Sequence, residues 1–382
     1  DASLSVVVGN VTYGNNATVV VSTNGKATGT VTINVNGIEQ TKTLVNGKAT
    51  FTVSGLAAGT YTITATYSGD ANFTGSSGDA EFTVSKISAG MNVVAGNVAY
   101  GANGTVIVTV NPEATGKVTI NVNGVDHEVD IVDGKAVYAA VNLPAGKYAV
   151  TVTYKGDANF TGTTINTEFI VNKADAGLNV IVSNITYGNN ATVIATVNNK
   201  ATGSVTINVN GNDYTATIIN GKATFNVPGL AAGDYTVAIK YDGDVNFTGA
   251  DISAEFAVSK LNADMNVIVS NITYGSDETV TVTVNNKATG TVTIAVNGKD
   301  YTEAIVNGKA TFNVSGLAAG NYTVAVSYSG DINFNGTSTN LEFTVSKINP
   351  DMNVVLVNGT NGMNVTVTMN NKATGTVTIT VS

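Results

Sequence analysis

Four aspartate–asparagine pairs are the groups in this chain best placed to do chemistry. They are Asp70 with Asn72, Asp157 with Asn159, Asp244 with Asn246, and Asp331 with Asn333, each inside the phrase Gly-Asp-x-Asn-Phe. Two side-chain oxygens one residue apart are what a calcium loop supplies, since calcium takes about six to eight oxygen ligands. The rest of an EF-hand pattern is missing. An Asx turn, with the aspartate holding its own backbone, accounts for the phrase equally well and is the favoured reading. Calcium is the one cofactor kept in view.

A second acidic cluster occurs once, at Asp126, His127, Glu128, Asp130 and Asp133. Strand alternation would place Asp126, Glu128 and Asp130 on one face and His127 on the other, so a solvated face is expected before a metal site. His127 aligns with Tyr214 and Tyr301, which marks it as an exposed strand position. Glu81, Glu168, Glu255 and Glu342 each precede a phenylalanine and are expected to face outward. The sequons at Asn10, Asn16, Asn72, Asn159, Asn184, Asn190, Asn246 and Asn271 are candidate glycan acceptors if the chain is secreted. Asn333-Phe-Asn breaks the set in its fourth member. None of these groups assembles a nucleophile with its base, and no catalytic residue is assigned.

Composition points the same way. All 18 basic residues are lysine, net charge is −9, and cysteine and tryptophan are absent. Nucleic-acid readers rely on arginine forks and basic patches, so DNA and RNA are disfavoured as partners. No apolar run approaches the roughly 18 residues of a membrane span. No secretory leader begins at Asp1, which implies a mature chain or a piece of a longer one.

These groups recur because the whole chain recurs. Tyr13, Tyr100, Tyr187 and Tyr274 are spaced by 87 residues, as are Lys86, Lys173, Lys260 and Lys347. A period this long means an array of small domains. Four full units are expected at 1–86, 87–173, 174–260 and 261–347, with a partial fifth at 348–382. Within a unit, Val31, Ile33 and Val35 alternate with polar residues, and Asn36-Gly37 and Asn46-Gly47 supply type I′ hairpin turns. About seven short strands with frequent turns predict a β-sandwich. The junctions, such as Ser85-Lys86-Ile87-Ser88-Ala89-Gly90, are too short and uniform to be flexible tethers, so a semi-rigid rod is expected.

Leu56-Ala57-Ala58-Gly59-Thr60-Tyr61 places a tyrosine after a bend at the start of the penultimate strand, and Tyr148, Tyr235 and Tyr322 repeat it. This resembles the tyrosine corner of immunoglobulin-like sandwiches. Two residues on, where an antibody domain has cysteine, stand Ile63, Val150, Val237 and Val324. Together with the Tyr-x-Gly-Asp-x-Asn-Phe run and the Asn-Gly-Lys-Ala-Thr-Phe hairpin, the corner resembles bacterial and archaeal Ig-like repeats. The Asn-rich, Arg-free version is similar to adhesin-like surface proteins of methanogenic archaea.

That resemblance covers the whole chain and implies an all-β tandem array of Ig-like sandwiches displayed outside the cell. It implies a non-enzymatic stalk or adhesive shaft whose partners are cell-surface or host components, or copies of itself. The alternative is a subunit of a filament or surface layer, its partial fifth domain completed by a neighbour. The resemblance transfers no catalytic residue.

Overall fold

The computed structural model describes residues 3–382. They form strands and turns, with no helix among them. The chain divides into two compact units, Asp1–Ala176 with Gly243–Thr248, and Gly177–Asp242 with Gly249–Ser382. The first unit therefore holds the first two repeats and one loop of the third.

The first repeat contains eight strands: β1 (Ser5–Val8), β2 (Val11–Thr12), β3 (Ala17–Ser22), β4 (Thr30–Val35), β5 (Ile38–Thr43), β6 (Lys48–Val53), β7 (Gly59–Tyr67) and β8 (Ser76–Ser85). Two sheets result, ordered β1-β3-β6 and β2-β8-β7-β4-β5, and the other full repeats build the same pair. The opening strand changes sheet partway. β1 pairs antiparallel with β3, while β2 runs parallel to β8 through Val11↔Val84 and Thr12↔Ser85. Asn10, in the kink between them, accepts a hydrogen bond on Oδ1 from the Thr83 N–H at 2.8 Å, and Asn97, Asn184 and Asn271 do the same in later repeats.

Alternation explains the core. Val19, Val31, Ile33, Phe51, Ile63 and Ala65 are completely buried between the sheets, while their sequence neighbours point out. Burying each large aliphatic contributes about 1.5–3 kcal/mol. Ile63, Val150, Val237 and Val324, at the antibody-cysteine position, all lie in this interior. At the turns, Asn36 and Gly37 have φ of 51° and 83°, and Asn46 and Gly47 have 50° and 69°. Two successive positive values are the requirement of a type I′ turn, and Asn-Gly meets it with little strain. β5 is the strand with least sequence signal: after Ile38 its residues are polar, and both faces are largely exposed at the sheet edge.

Residues 353–368 of the partial fifth repeat form one hairpin, Asn353–Gly359 paired with Gly362–Thr368. Val377, Ile379 and Val381 are 47%, 53% and 89% exposed. Their counterparts in the fourth repeat, Val292, Ile294 and Val296, are at most 1% exposed. The face that becomes core in the complete repeats is here uncovered.

Candidate functional site

The Tyr-x-Gly-Asp-x-Asn-Phe phrase folds as a polar knot at one end of each sandwich. Asp70 Oδ1 accepts the backbone N–H groups of Asn72 and Phe73 at 2.7 and 2.8 Å, the geometry of an Asx turn. Its Oδ2 accepts the N–H and hydroxyl of Thr28 at 2.7 and 2.8 Å. The buried Tyr67 hydroxyl donates to the carbonyl of that same Thr28 at 2.6 Å. The pattern recurs at Asp157 with Thr115 and at Asp331 with Thr289. The carboxylate thus locks the loop between the last two strands to the crossover from β3 to β4, and its lone pairs are occupied by protein donors.

The electrostatics follow from those donors. Desolvation works against the charged form of Asp331, but the N–H groups of Thr289, Asn333 and Phe334 and the Thr289 hydroxyl prevail and hold it at about 2. Asp157 is likewise held below the usual carboxylate range against desolvation. For Asp70, the Thr28 backbone N–H is the leading cause of the same lowering. Burial, and then the neighbouring aspartate, pushes Tyr154 and Tyr328 up to about 12.

The asparagine of the phrase does something different from its aspartate. Asn159 Oδ1 accepts the backbone N–H of Ala58, in the preceding repeat, at 3.0 Å. Asn246 takes the Ala145 N–H and Asn333 the Ala232 N–H, each at 2.9 Å. Those alanines sit in the bend that the corner tyrosine closes. Tyr61, Tyr148, Tyr235 and Tyr322 donate their hydroxyls to the carbonyls of Ala57, Pro144, Ala231 and Ala318 at 2.9–3.0 Å. One N–H beyond the first three braced carbonyls is the donor to the next repeat.

Three further contacts recur at the same junctions. Lys86 Nζ donates to the Asp157 carbonyl at 2.5 Å, Lys173 to Asp244 and Lys260 to Asp331. Tyr13 packs edge-on against Phe160 with ring centroids 5.6 Å apart, and Tyr100–Phe247 and Tyr187–Phe334 repeat that packing. The junction segment itself joins the next sandwich: Ile87 and Ser88 run parallel to Phe160 and Thr161, and Ala174 and Asp175 to Phe247 and Thr248. A single phrase therefore uses its carboxylate inward and its carbonyl, carboxamide and ring toward the preceding repeat.

The remaining candidates fall elsewhere. Asp126, Glu128 and Asp130 are exposed along one face, with Lys117 3.4 Å from Glu128. His127 is half-buried, not fully exposed: its ring stacks on Tyr138 at 4.2 Å and its Nε2 lies 2.8 Å from the Tyr138 hydroxyl. Tyr138 occupies the place of the buried Phe51, and its hydroxyl makes that pairing available. Among the described residues, no three His, Asp or Glu side chains converge to hold a metal. Glu81, Glu168, Glu255 and Glu342 are exposed, and Glu168 meets Lys147 at 2.7 Å. Among the sequons, Asn10, Asn16, Asn72, Asn184, Asn190 and Asn271 are exposed. Asn10, Asn184 and Asn271 brace the kink, while Asn159 and Asn246 are half-buried at junctions.

One acid escaped sequence reasoning. Glu278 is 1% exposed, and its Oε1 accepts the Ser270 N–H at 2.8 Å, while Oε2 is buried without a partner. Ala17, Gly104 and Ala191 hold this place in the other repeats, so aligning the repeats with one another would have exposed it.

The profile described as Bacterial Ig-like domain (group 3) matches residues 4–85, 91–172, 178–259 and 266–346. No curated protein matches the chain. Among solved structures, the chain is similar to one of a 1.5-MDa bacterial ice-binding adhesin, at 17% identity over 68% of this chain and 98% of that one, with a TM-score of 0.28. It is also similar to the Bacteroides ovatus glucan-utilisation protein SGBP-B (19% identity, 69% of each chain, TM-score 0.17). Sidekick-1 immunoglobulin domains 1–5 share 14% identity over 94% of this chain and 82% of theirs, with a TM-score of 0.23.

Proposed function

This chain belongs to the bacterial Ig-like domain (group 3) family, in four tandem copies, and we propose that it serves as the non-enzymatic shaft of a cell-surface adhesin. Its work is mechanical: successive sandwiches, docked by one repeated set of contacts, carry a binding surface outward from the cell. The observation that carries this reading is the junction, where Asn, Lys, Tyr and an added strand segment make the same links each time. A chain of independent binding modules would have no need of four reinforcing contacts at each joint. No helix among the described residues is long and apolar enough to cross a membrane. Display outside the cell, with surface or host components as partners, completes the proposal. The Asn-rich, Arg-free composition supports a surface protein of the archaeal adhesin-like kind, and the exposed sequons at Asn16, Asn72 and Asn190 are its candidate glycan carriers.

Electron microscopy of the purified native protein, without crosslinker, tests the shaft directly. Straight particles of four beads, with little bending between them, are expected. Beads that scatter through all relative angles would overturn it. The same images test a second reading, a filament or surface-layer subunit. Regular filaments in the same images would put that reading first.

A further inference from the structure

Asparagine followed by glycine carries a chemistry of its own, because glycine has no side chain to shield its backbone nitrogen. Once deprotonated, that nitrogen attacks the asparagine Cγ and closes a five-membered succinimide. The bond from Cγ to the amide nitrogen breaks, and the amide nitrogen takes up a proton and leaves as ammonia. Water then opens the ring at either carbonyl, giving aspartate or isoaspartate. The exchange consumes water, releases ammonia and needs no oxidant or reductant.

The hairpin that β4 and β5 form in the first repeat brings such a pair to the same place in every full repeat. The four are Asn36-Gly37, Asn123-Gly124, Asn210-Gly211 and Asn297-Gly298. All are exposed two-residue turns, with the asparagine at φ 50–51° and the glycine at φ 76–91°. Turn geometry and exposure are therefore matched, and only the surroundings of the glycine nitrogen differ.

Three of these nitrogens are clamped. Asn34 Oδ1 accepts the Gly37 N–H at 3.1 Å, Asn121 Oδ1 the Gly124 N–H at 2.9 Å, and Asn208 Oδ1 the Gly211 N–H at 3.3 Å. Each clamping carboxamide is fixed in turn, because its Nδ2 donates to Glu39, Asp126 or Asp213 on the facing strand. The proton that must leave is thus held by an acceptor, and the anion left behind would face that oxygen's lone pairs. The fourth turn has no such clamp. Ala295 stands in the asparagine's place, opposite Asp300, and has no carboxamide to offer the Gly298 N–H.

We propose that Asn297 is a self-modification site, converted by water alone to aspartate or isoaspartate ahead of its three counterparts. The aspartate product fits the backbone: Asp133-Gly134 already carries an aspartate at φ 49° in another two-residue turn. Isoaspartate adds a backbone atom to a turn whose register allows two residues. The strand it leads into, Lys299–Ala304, lies at the sheet edge, so the added charge and the lengthened turn fall outside the core.

The test ages the whole 382-residue protein in mildly alkaline buffer and follows each turn by mass spectrometry of peptides released at acid pH. Conversion at Asn297 is expected to be about fivefold faster than at Asn36, Asn123 or Asn210, the rate equivalent of one retained hydrogen bond. Ala295→Asn should slow Asn297 to the pace of the other three, and Asn34→Ala should raise Asn36 to that of Asn297. Both variants take a residue that another repeat already carries at that place, which keeps the fold intact. In denaturant, where the clamps are gone, the four rates should converge. Equal rates in the folded protein overturn the proposal. So does a lead for Asn297 that survives Ala295→Asn or persists undiminished in denaturant.

Discussion

At the scale of single residues, the aspartate of the repeated phrase sets the acid limit of the fold. Asp331 is held at about 2 in the folded protein, below the ordinary carboxylate value of about 3.9, so its stabilisation is fully present above the ordinary value. It is lost as pH falls through about 2. The buried tyrosines work in the opposite sense: Tyr154 and Tyr328 are raised to about 12, so their contribution holds below about 10 and disappears as pH rises through 12. Melting temperature should therefore be level from about pH 5 to 9 and fall on both sides. Asp331→Asn should lower the fourth repeat's stability at pH 7 and flatten its acid limb, which scanning calorimetry across pH would detect. Glu278 makes the reverse case. A buried carboxylate oxygen without a partner costs about 1–3 kcal/mol or more, and two other repeats place alanine there. Glu278→Ala should raise the protection of the Val280 and Val282 amides against hydrogen exchange; slower protection loss in wild type would contradict the buried geometry.

Within and between elements, the tyrosine bend and the junction share a segment. Phenylalanine at Tyr61 removes the bond to the Ala57 carbonyl and should cost about 1 kcal/mol in the first repeat. Because the Ala58 N–H beside it serves Asn159, the same substitution should also loosen the first junction. A direct lesion of the joint, Lys86→Met with Asn159→Ala, is expected to leave each sandwich's melting unchanged while speeding proteolytic cleavage at 86–90. Equal cleavage rates would mean the joint contributes no rigidity. The sandwich was legible in the sequence because its signals are local: alternation, Asn-Gly turns and the Leu-x-Ala-Gly-x-Tyr bend lie within a few residues of one another. The joint was not legible, because Lys86 meets a carbonyl 71 residues on and Ala58 meets an asparagine 101 residues on. The sequon at Asn159 is likewise local, while the Ala58 N–H its side chain accepts is not. β5 escaped attention because an exposed edge strand has no buried face to impose a period.

Taken as a whole molecule, an array of this kind must carry tension if it is a shaft, and the strand order says how. In each full repeat the two-residue second strand lies parallel to the last long strand, as Val11 and Thr12 do beside Val84 and Ser85. Chain enters and leaves along neighbouring parallel strands, so a pull on the termini shears those bonds together instead of opening them one at a time. Pulling the protein in a single-molecule force experiment should give four large unfolding events. Each should release about 26 nm, because 87 residues extend to roughly 300 Å and the folded sandwich already spans roughly 40 Å. The partial fifth repeat, with its apolar face uncovered, should extend at forces too low to register as a fifth event. Replacing Asn10, Asn97, Asn184 and Asn271 together by alanine removes the brace beside the shearing strands. The step length should stay the same and the force should fall in all four events. An unchanged force would place the mechanical resistance in the strand pairing alone, and a single event of larger length would mean that the sandwiches do not yield one by one.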